Sequence, residues 1–520
     1  MKPIVKFSVS TCTQTIRLGV KMKNVLIIFM IIHCSYINYT YGQQRSGEMN
    51  KQINGLDFDW EMEKRFTTKV NLVVNTKNTE RVGYGYDSEK STYFPSYVNP
   101  NSWEVSFFIS NPFNQTLNRE WKIVDGNGRE IALDRKETIT PASKQGKAEA
   151  LLKGTSMLPD YKVKLPKLGI YTVTLTITDD TGNKFLKTKQ IELKDFLIVS
   201  IGDSFSSGEG NPDVDGVTND EILCENFTTM TKVMEKVKDI DMKKYPVWLE
   251  PKAHRSLKSG SAKAAELLEE ADPHSSVTFL TFACSGAKIT QGLLYQQHST
   301  WQQKGQVDEV KEAVGNRKID ALVMSIGIND LLLDSGISGL INCAANPAPP
   351  QFQDSDELKS AFSQLEKLPQ LYARLNQKIN SSLNVSSVFL YEIPINMFRD
   401  KDNNPMGGCG ILRYIEKQDA IIIDRIGVDL NRMAQMAGQR HGWHYLSGIV
   451  EAFRGHGYCE SPKDSWYRAG GTSCKCQGDF DGTIHPNEAG HTKIGSILFE
   501  RLKSALSNRN ELQGLGAFPH

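Results

Sequence analysis

A chain of 520 residues has length for roughly two to four domains and a sizeable core. Its formal net charge of +1 leaves no global field to hold nucleic acid or an anionic membrane surface. With 23% charged and 39% apolar residues, it has the composition of an ordinary soluble globular protein.

The N-terminus departs from that average. Val25-Leu26-Ile27-Ile28-Phe29-Met30-Ile31-Ile32 is an unbroken apolar run preceded by Lys21 and Lys23, well short of the ~20 residues that span a bilayer. A basic flank, a short apolar core and a cleavage point after Gly42 predict a secretory signal peptide over 1–42, with Met22 the better start. Cys34 offers a lipoprotein anchor as the alternative, and an uncleaved anchor is another. Export makes the cysteines candidates for disulfides. Seven of the nine follow the cleavage point: Cys224, Cys284, Cys343, Cys409, Cys459, Cys474 and Cys476. Their odd number predicts up to three disulfides and one free thiol, for which the apolar context selects Cys284. Cys474-Lys475-Cys476 lacks the spacing and the histidine partners of a zinc site.

Residues 43–64 are polar and mixed, a leader into the first domain. From 65 to 195 the pattern is β. Val70–Val74, Trp103–Ile109 and Tyr171–Thr178 largely alternate apolar with polar residues and favour β-branched and aromatic side chains. Turns are signalled at Asp125-Gly126-Asn127-Gly128 and Asp180-Thr181-Gly182-Asn183. This segment reads as a β-sandwich, and the run Gly169–Asn183 resembles the last strands of PKD and related immunoglobulin-like modules. Such modules act as spacers or as carbohydrate- and surface-binding units; the spacer is expected here.

After residue 196 the texture becomes α/β. Apolar strands recur at 196–201, 277–283, 320–326 and 387–393, separated by amphipathic stretches such as Ser261–Leu268. That alternation predicts a parallel sheet with helices on both faces. The loop-rich segments 211–250 and 399–480 hold most of the cysteines and are expected to form a rim stapled by disulfides. The domain extends to about 510, and 511–520 is a tail.

Four local signals carry the chemistry. Gly202-Asp203-Ser204 follows an apolar strand, Phe282-Ala283-Cys284-Ser285-Gly286-Ala287 turns after another, and Ser325-Ile326-Gly327-Ile328-Asn329-Asp330 ends a third. Asp481-Gly482-Thr483-Ile484-His485-Pro486-Asn487 leads into a C-terminal helical stretch. These residue types suit acyl transfer. A serine hydroxyl needs a base, for which His485 is best placed. The oxyanion that forms needs preorganised donors, which a glycine amide and an asparagine side chain supply.

Taken in this order, the four blocks resemble those of the SGNH (GDSL-type) hydrolases, over about residues 196–505. The run Gly202–Gly210, with His254-Arg255-Ser256, Ala283–Ala287 and Phe453–Cys459, is most similar to the secreted bacterial lipase and esterase branch. The resemblance implies Ser204 as nucleophile, His485 as base, and an oxyanion hole of the Ser204 and Gly286 amides with the Asn329 side chain.

Three positions depart from the family pattern. The aspartate often found three residues before the histidine is Gly482, with Asp481 one residue further back and Asp479 beyond it. Asp481 is therefore the expected acid, with a backbone carbonyl as the alternative. Ile328 stands where the family has glycine, and Ala253 stands where it often has cysteine. Asp203 and Asp330 are expected to hold loops, His441 and His444 to be structural, His491 to lie on the last helix, and His456 to pack beneath the rim. The sequons at Asn114, Asn226, Asn380 and Asn384 matter only in a glycosylating host.

The expectation is an exported, monomeric α/β hydrolase of the SGNH three-layer type behind an immunoglobulin-like sandwich. It would cleave carboxylic esters of lipids or acylated carbohydrates without a cofactor or a metal. The alternatives are a carbohydrate O-acetylesterase and a non-catalytic surface-binding protein with a degenerate hydrolase domain. Cell-surface or polysaccharide contact through the β-domain is the alternative to its spacer role.

Overall fold

The structure is a computed structural model and describes residues 56–68, 85–88, 90–110, 117–139, 161–178, 182–225, 240–297, 302, 304–331, 356–413 and 415–514. The expected signal peptide over 1–42, the strand expected at 70–74, Cys343, and the sequons at Asn114 and Asn226 lie outside them.

The chain divides into two compact units. The first takes the described residues of Met1–Asp59, Phe108–Asp160 and Thr172–Gln190, and the second those of Trp60–Phe107, Tyr161–Tyr171 and Ile191–His520. The first unit is β. Leu117–Asp125 and Glu130–Ile139 pair antiparallel around the predicted turn at 125–128, where Gly128 donates its N–H to the Asp125 carbonyl at 2.9 Å. Alternation buries Trp121 and Ile123 from one strand and Val173, Leu175 and Ile177 from another. Phe58 meets Trp121 edge-on at 5.1 Å.

The second unit is α/β with a parallel sheet. Its strands are the later part of Lys184–Gly202, then Ser275–Thr281, Ala321–Ser325, Val388–Tyr391 and His444–Leu446. All neighbouring pairs in this set run parallel. Helices Gly260–Ala271, Gln306–Val314, Leu368–Ser382 and Lys417–His441 make the crossovers. In chain order the strands lie 2-1-3-4-5, so the connections from the first and third strands leave in opposite directions. That switch point opens a crevice at the strands' carboxyl ends. The predicted strand positions agree to within a few residues. The central strands are buried on both faces, which is why they read as continuous apolar runs.

The units do not divide at residue 195. The described residues of 60–107 belong to the α/β unit, where several of them satisfy its buried polar groups. Asp195, whose side chain is fully buried, accepts Arg65 Nη1 at 2.5 Å, Trp103 Nε1 at 2.9 Å and Thr278 Oγ1 at 2.9 Å. Arg317 approaches the same carboxylate at 3.3 Å. Tyr93 Oη receives the Thr281 N–H at 2.7 Å. A carboxylate stripped of water needs such partners, and sequence periodicity does not reveal them. At the other end the last helix, Glu488–Gly514, runs past residue 510 into the expected tail.

Two disulfides, Cys224–Cys474 and Cys409–Cys459, join the loop-rich segments as anticipated. Cys284 is free and buried, and burial pushes its thiol up to about 12, so it is inert as a nucleophile. Cys476 is also free. Among the described residues, no helix is long and apolar enough to cross a membrane.

Candidate functional site

Ser204 stands at the carboxyl end of the central strand. Gly202, paired with Ser325, has φ +130°, and a Cβ there would lie 2.2 Å from the Ser325 carbonyl oxygen. Glycine is what lets the chain turn against its neighbour. Asp203 caps the helical turn Ser204–Ser207 by accepting the Phe205 N–H at 3.1 Å, the loop-holding role expected of it. Ser206 Oγ receives the Ser325 N–H at 2.8 Å and contacts Tyr391 Oη at 3.0 Å.

Gly286 and Asn329 follow the second and third strands. Gly286 is exposed and has φ +76°, a left-handed conformation that favours glycine. Asn329 is buried and donates Nδ2 to the Ala287 carbonyl at 3.1 Å, which ties its side chain to the Gly286 turn. Asp330 accepts the Ile289 N–H through both carboxylate oxygens, at 3.1 and 2.9 Å, and so holds a loop.

His485 comes from the far end of the chain and places Nε2 2.7 Å from Ser204 Oγ. Both residues are almost wholly buried. Burial holds the imidazole below its ordinary value and keeps it neutral. The negative charge of Glu209 is the largest influence in the opposite direction, followed by the carbonyls of Thr483, Asp481 and Gly482. No group among the described residues forms a well-aligned hydrogen bond to Nδ1. Ile484, beside His485, adopts φ +65°, a rare conformation for a β-branched residue that costs on the order of 1–3 kcal/mol.

Asp481 does not meet His485 through its side chain. Its carboxylate lies with that of Asp479 and the imidazole of His254, with one atom from each within 4.8 Å of the others. That spacing suits a cation, and the imidazolium of His254 is one. His254 Nδ1 is 2.8 Å from Glu209 Oε2, and its ring stacks on Trp248 at 4.6 Å. Burial works against both charges of this pair, but their mutual attraction prevails. Glu209 is drawn down to about 2 and His254 up to about 9. Gln477 Nε2 binds the other Glu209 oxygen at 2.9 Å. Although the residue as a whole is exposed, desolvation of its carboxylate, with repulsion from Asp479 and Glu209, pushes Asp481 up to about 7.

Sequence reading assigned no role to Glu209, His254 or Gln477. The first two lay inside blocks quoted for the family resemblance, which was the available signal. Among the other histidines, His456 stacks on Trp466 at 3.7 Å and His444 on Phe389 at 4.7 Å. His491 is buried and accepts the Gly260 N–H at 3.1 Å.

An apolar cavity of about 80 Å³ lies among the chain neighbours of these residues, and Ser204, Gly286, Asn329 and His485 are not in its lining. Phe205, Ile328 and Ile484, the neighbours of Ser204, Asn329 and His485, line it with Met397, Phe398 and Leu430.

No family model matches the chain, and no curated protein does. Among solved structures it is similar to phospholipase A1 from Streptomyces albidoflavus NA297, at 20% identity and TM-score 0.38, over 60% of this chain and 99% of that one. The extracellular lipase from Streptomyces rimosus is similar at 19% identity and TM-score 0.38, over 60% and 99%. A Parabacteroides merdae β-glucuronidase is similar at 10% identity and TM-score 0.15, over 65% and 34%. These likenesses are loose, and the functional reading rests on side-chain geometry.

Proposed function

We propose that this protein is a serine esterase that hydrolyses carboxylic esters through an acyl-Ser204 intermediate. The observation that carries the reading is the 2.7 Å contact between Ser204 Oγ and His485 Nε2 at the carboxyl edge of a parallel sheet. His485, neutral because buried, accepts the Ser204 proton as Oγ attacks the ester carbonyl carbon. The tetrahedral oxyanion is received by the amides of Ser204 and Gly286 and by Asn329. As the C–O bond breaks, His485 returns the proton to the leaving alkoxide. Water, deprotonated by His485, then attacks the acyl-enzyme and releases the acid and Ser204. In this reading, Glu209 and the carbonyls of residues 481–483 support the imidazolium, and the Asp481 carboxylate is not the orienting group.

The apolar cavity lined by Phe205, Ile328 and Ile484, the chain neighbours of Ser204, Asn329 and His485, favours an apolar acyl group over acetate, and thus a lipid-like ester over an O-acetylated carbohydrate. Two disulfides support the expected export, since such bonds persist in oxidising compartments. Ser204→Ala is expected to lower aryl-ester turnover by roughly 10³-fold or more with an unchanged thermal midpoint. Retained turnover would remove the reading. The wild-type rate should fall as pH drops through the depressed His485 value, because protonation blocks the base. Across acetyl to octanoyl esters, turnover should be kept or should rise; a preference for acetate would return the O-acetylesterase.

A further inference from the structure

Ser204 and His485 are 281 residues apart in sequence. Their loops are joined by a side chain that touches neither of them. Asn211 is fully buried just after the Gly208–Gly210 turn. Its Nδ2 donates to the Glu209 carbonyl at 3.1 Å, on the nucleophile side. The same Nδ2 donates to the Pro486 carbonyl at 2.8 Å, on the residue that follows His485. Its Oδ1 accepts Arg468 Nη2 at 2.6 Å.

Arg468 in turn grips the histidine loop through its backbone. Its N–H donates to the His485 carbonyl at 2.8 Å, and its carbonyl accepts the Ile484 N–H at 3.1 Å. The nucleophile turn closes on itself as the Glu209 N–H donates to the Ser204 carbonyl at 3.2 Å. A continuous path of hydrogen bonds therefore runs from the Ser204 backbone through Glu209 and Asn211 to both sides of His485.

From this geometry we propose that Asn211, braced by Arg468, is a positioning residue that fixes the reach between Ser204 and His485. The proposal rests on the acyl-serine reading above. Only a carboxamide of this length offers N–H donors to two carbonyls and an oxygen to a guanidinium at once. An aspartate has the same shape but would turn an acceptor oxygen toward two carbonyl oxygens. Proton transfer between Ser204 and His485 depends on their separation, and a misplacement of about 1 Å costs on the order of 10²-fold in rate.

The test is steady-state kinetics of Asn211→Asp on an aryl ester, beside the rate at which a fluorophosphonate labels Ser204. We expect kcat to fall by about tenfold or more with KM changed less than about twofold, and labelling to slow in proportion. Arg468→Gln, which keeps Asn211 but removes its brace, should show the same signature more weakly. It also serves if Asn211→Asp does not fold. Asn376→Ala removes the acceptor of the Trp443 indole N–H elsewhere in the unit and should alter the thermal midpoint without slowing labelling. A folded Asn211→Asp, or failing that a folded Arg468→Gln, with wild-type kcat and labelling would overturn the proposal. Wild-type turnover in Ser204→Ala would instead overturn the esterase reading.

Discussion

The turn that presents Ser204 and the loop that presents His485 meet at 2.7 Å, but they are held in different ways. Residues 202–207 continue a buried parallel strand whose register, Ser325 opposite Gly202, fixes where the turn begins. Residues 479–486 run between two helices without a strand of their own. Side chains from elsewhere hold that loop. Ser473 Oγ accepts the Gly482 N–H at 3.1 Å and donates to the Asp479 carbonyl at 2.9 Å. A positive φ at Ile484 is tolerated within it, a strained conformation of the kind that persists where the surroundings over-determine it. A sheet positions one partner and polar contacts position the other, so polar substitutions should perturb the histidine side more.

The largest effect is expected where the two sides share a buried charge. Glu209 lies on the nucleophile segment, has no solvent exposure, and pairs with His254 at 2.8 Å. Glu209→Gln leaves His254 without its closest counter-charge and should cost about 3–5 kcal/mol of stability. The pH dependence follows from the two shifts. His254, raised from 6.5 to about 9, contributes stability that is full below 6.5 and is lost as pH rises through about 9. Glu209, lowered from 4.5 to about 2, contributes stability present above 4.5 and lost as pH falls toward about 2. The pair is thus most stabilising between about pH 4.5 and 6.5. Denaturant titrations from pH 5 to 10 should show an alkaline loss in the wild type that is reduced in Glu209→Gln. Equal alkaline losses would mean that the pair does not govern this range.

A more direct contrast sets Ser473 against Ser206. Each hydroxyl is buried and bonds backbone, Ser473 that of residues 479 and 482 and Ser206 that of Ser325 on the neighbouring strand, so Ser→Ala at either position should cost about 1–2 kcal/mol of stability. Their effects on turnover should differ. Without Ser206 Oγ the strand register remains; without Ser473 Oγ the 479–482 segment loses two backbone anchors. We expect kcat to fall about tenfold in Ser473→Ala and less than about threefold in Ser206→Ala. Similar losses in both would show that the sheet does not insulate the nucleophile.

The same difference explains what was legible in the sequence. Central strands announce themselves as apolar runs, so Ser204, Gly286 and Asn329 could be placed at strand ends from sequence alone. The histidine block was visible as a motif, but its supports were not. Ser473, Gln477, Arg468 and Asn211 belong to no local period, and Asn211 bonds Arg468 across 257 residues. Residues 65–107 were read as part of a separate β-domain, and 60–64 as part of its leader, for a related reason. Their place in the α/β unit depends on Arg65 and Trp103 finding Asp195, a satisfaction of buried charge that no pattern of apolar residues encodes.

The smallest expected effect tests the acid. The family resemblance nominated Asp481, but its carboxylate lies with His254 and Asp479, while its backbone carbonyl is among the groups acting on His485. Asp481→Asn keeps that carbonyl and removes only the charge, so kcat should stay within about threefold of wild type. An aspartate that truly orients a catalytic histidine costs on the order of 10⁴-fold when changed to asparagine. Those outcomes are far enough apart for one kinetic measurement to separate them. Stability should move in the favourable direction. A carboxyl raised from 3.8 to about 7 is held protonated by the fold, so the wild type gives up stability as pH rises between those values. Asparagine has no proton to lose, and above pH 7 the variant should melt slightly higher than the wild type. A large kinetic loss with no such gain would restore Asp481 as the orienting acid and place the two loops under the same kind of control.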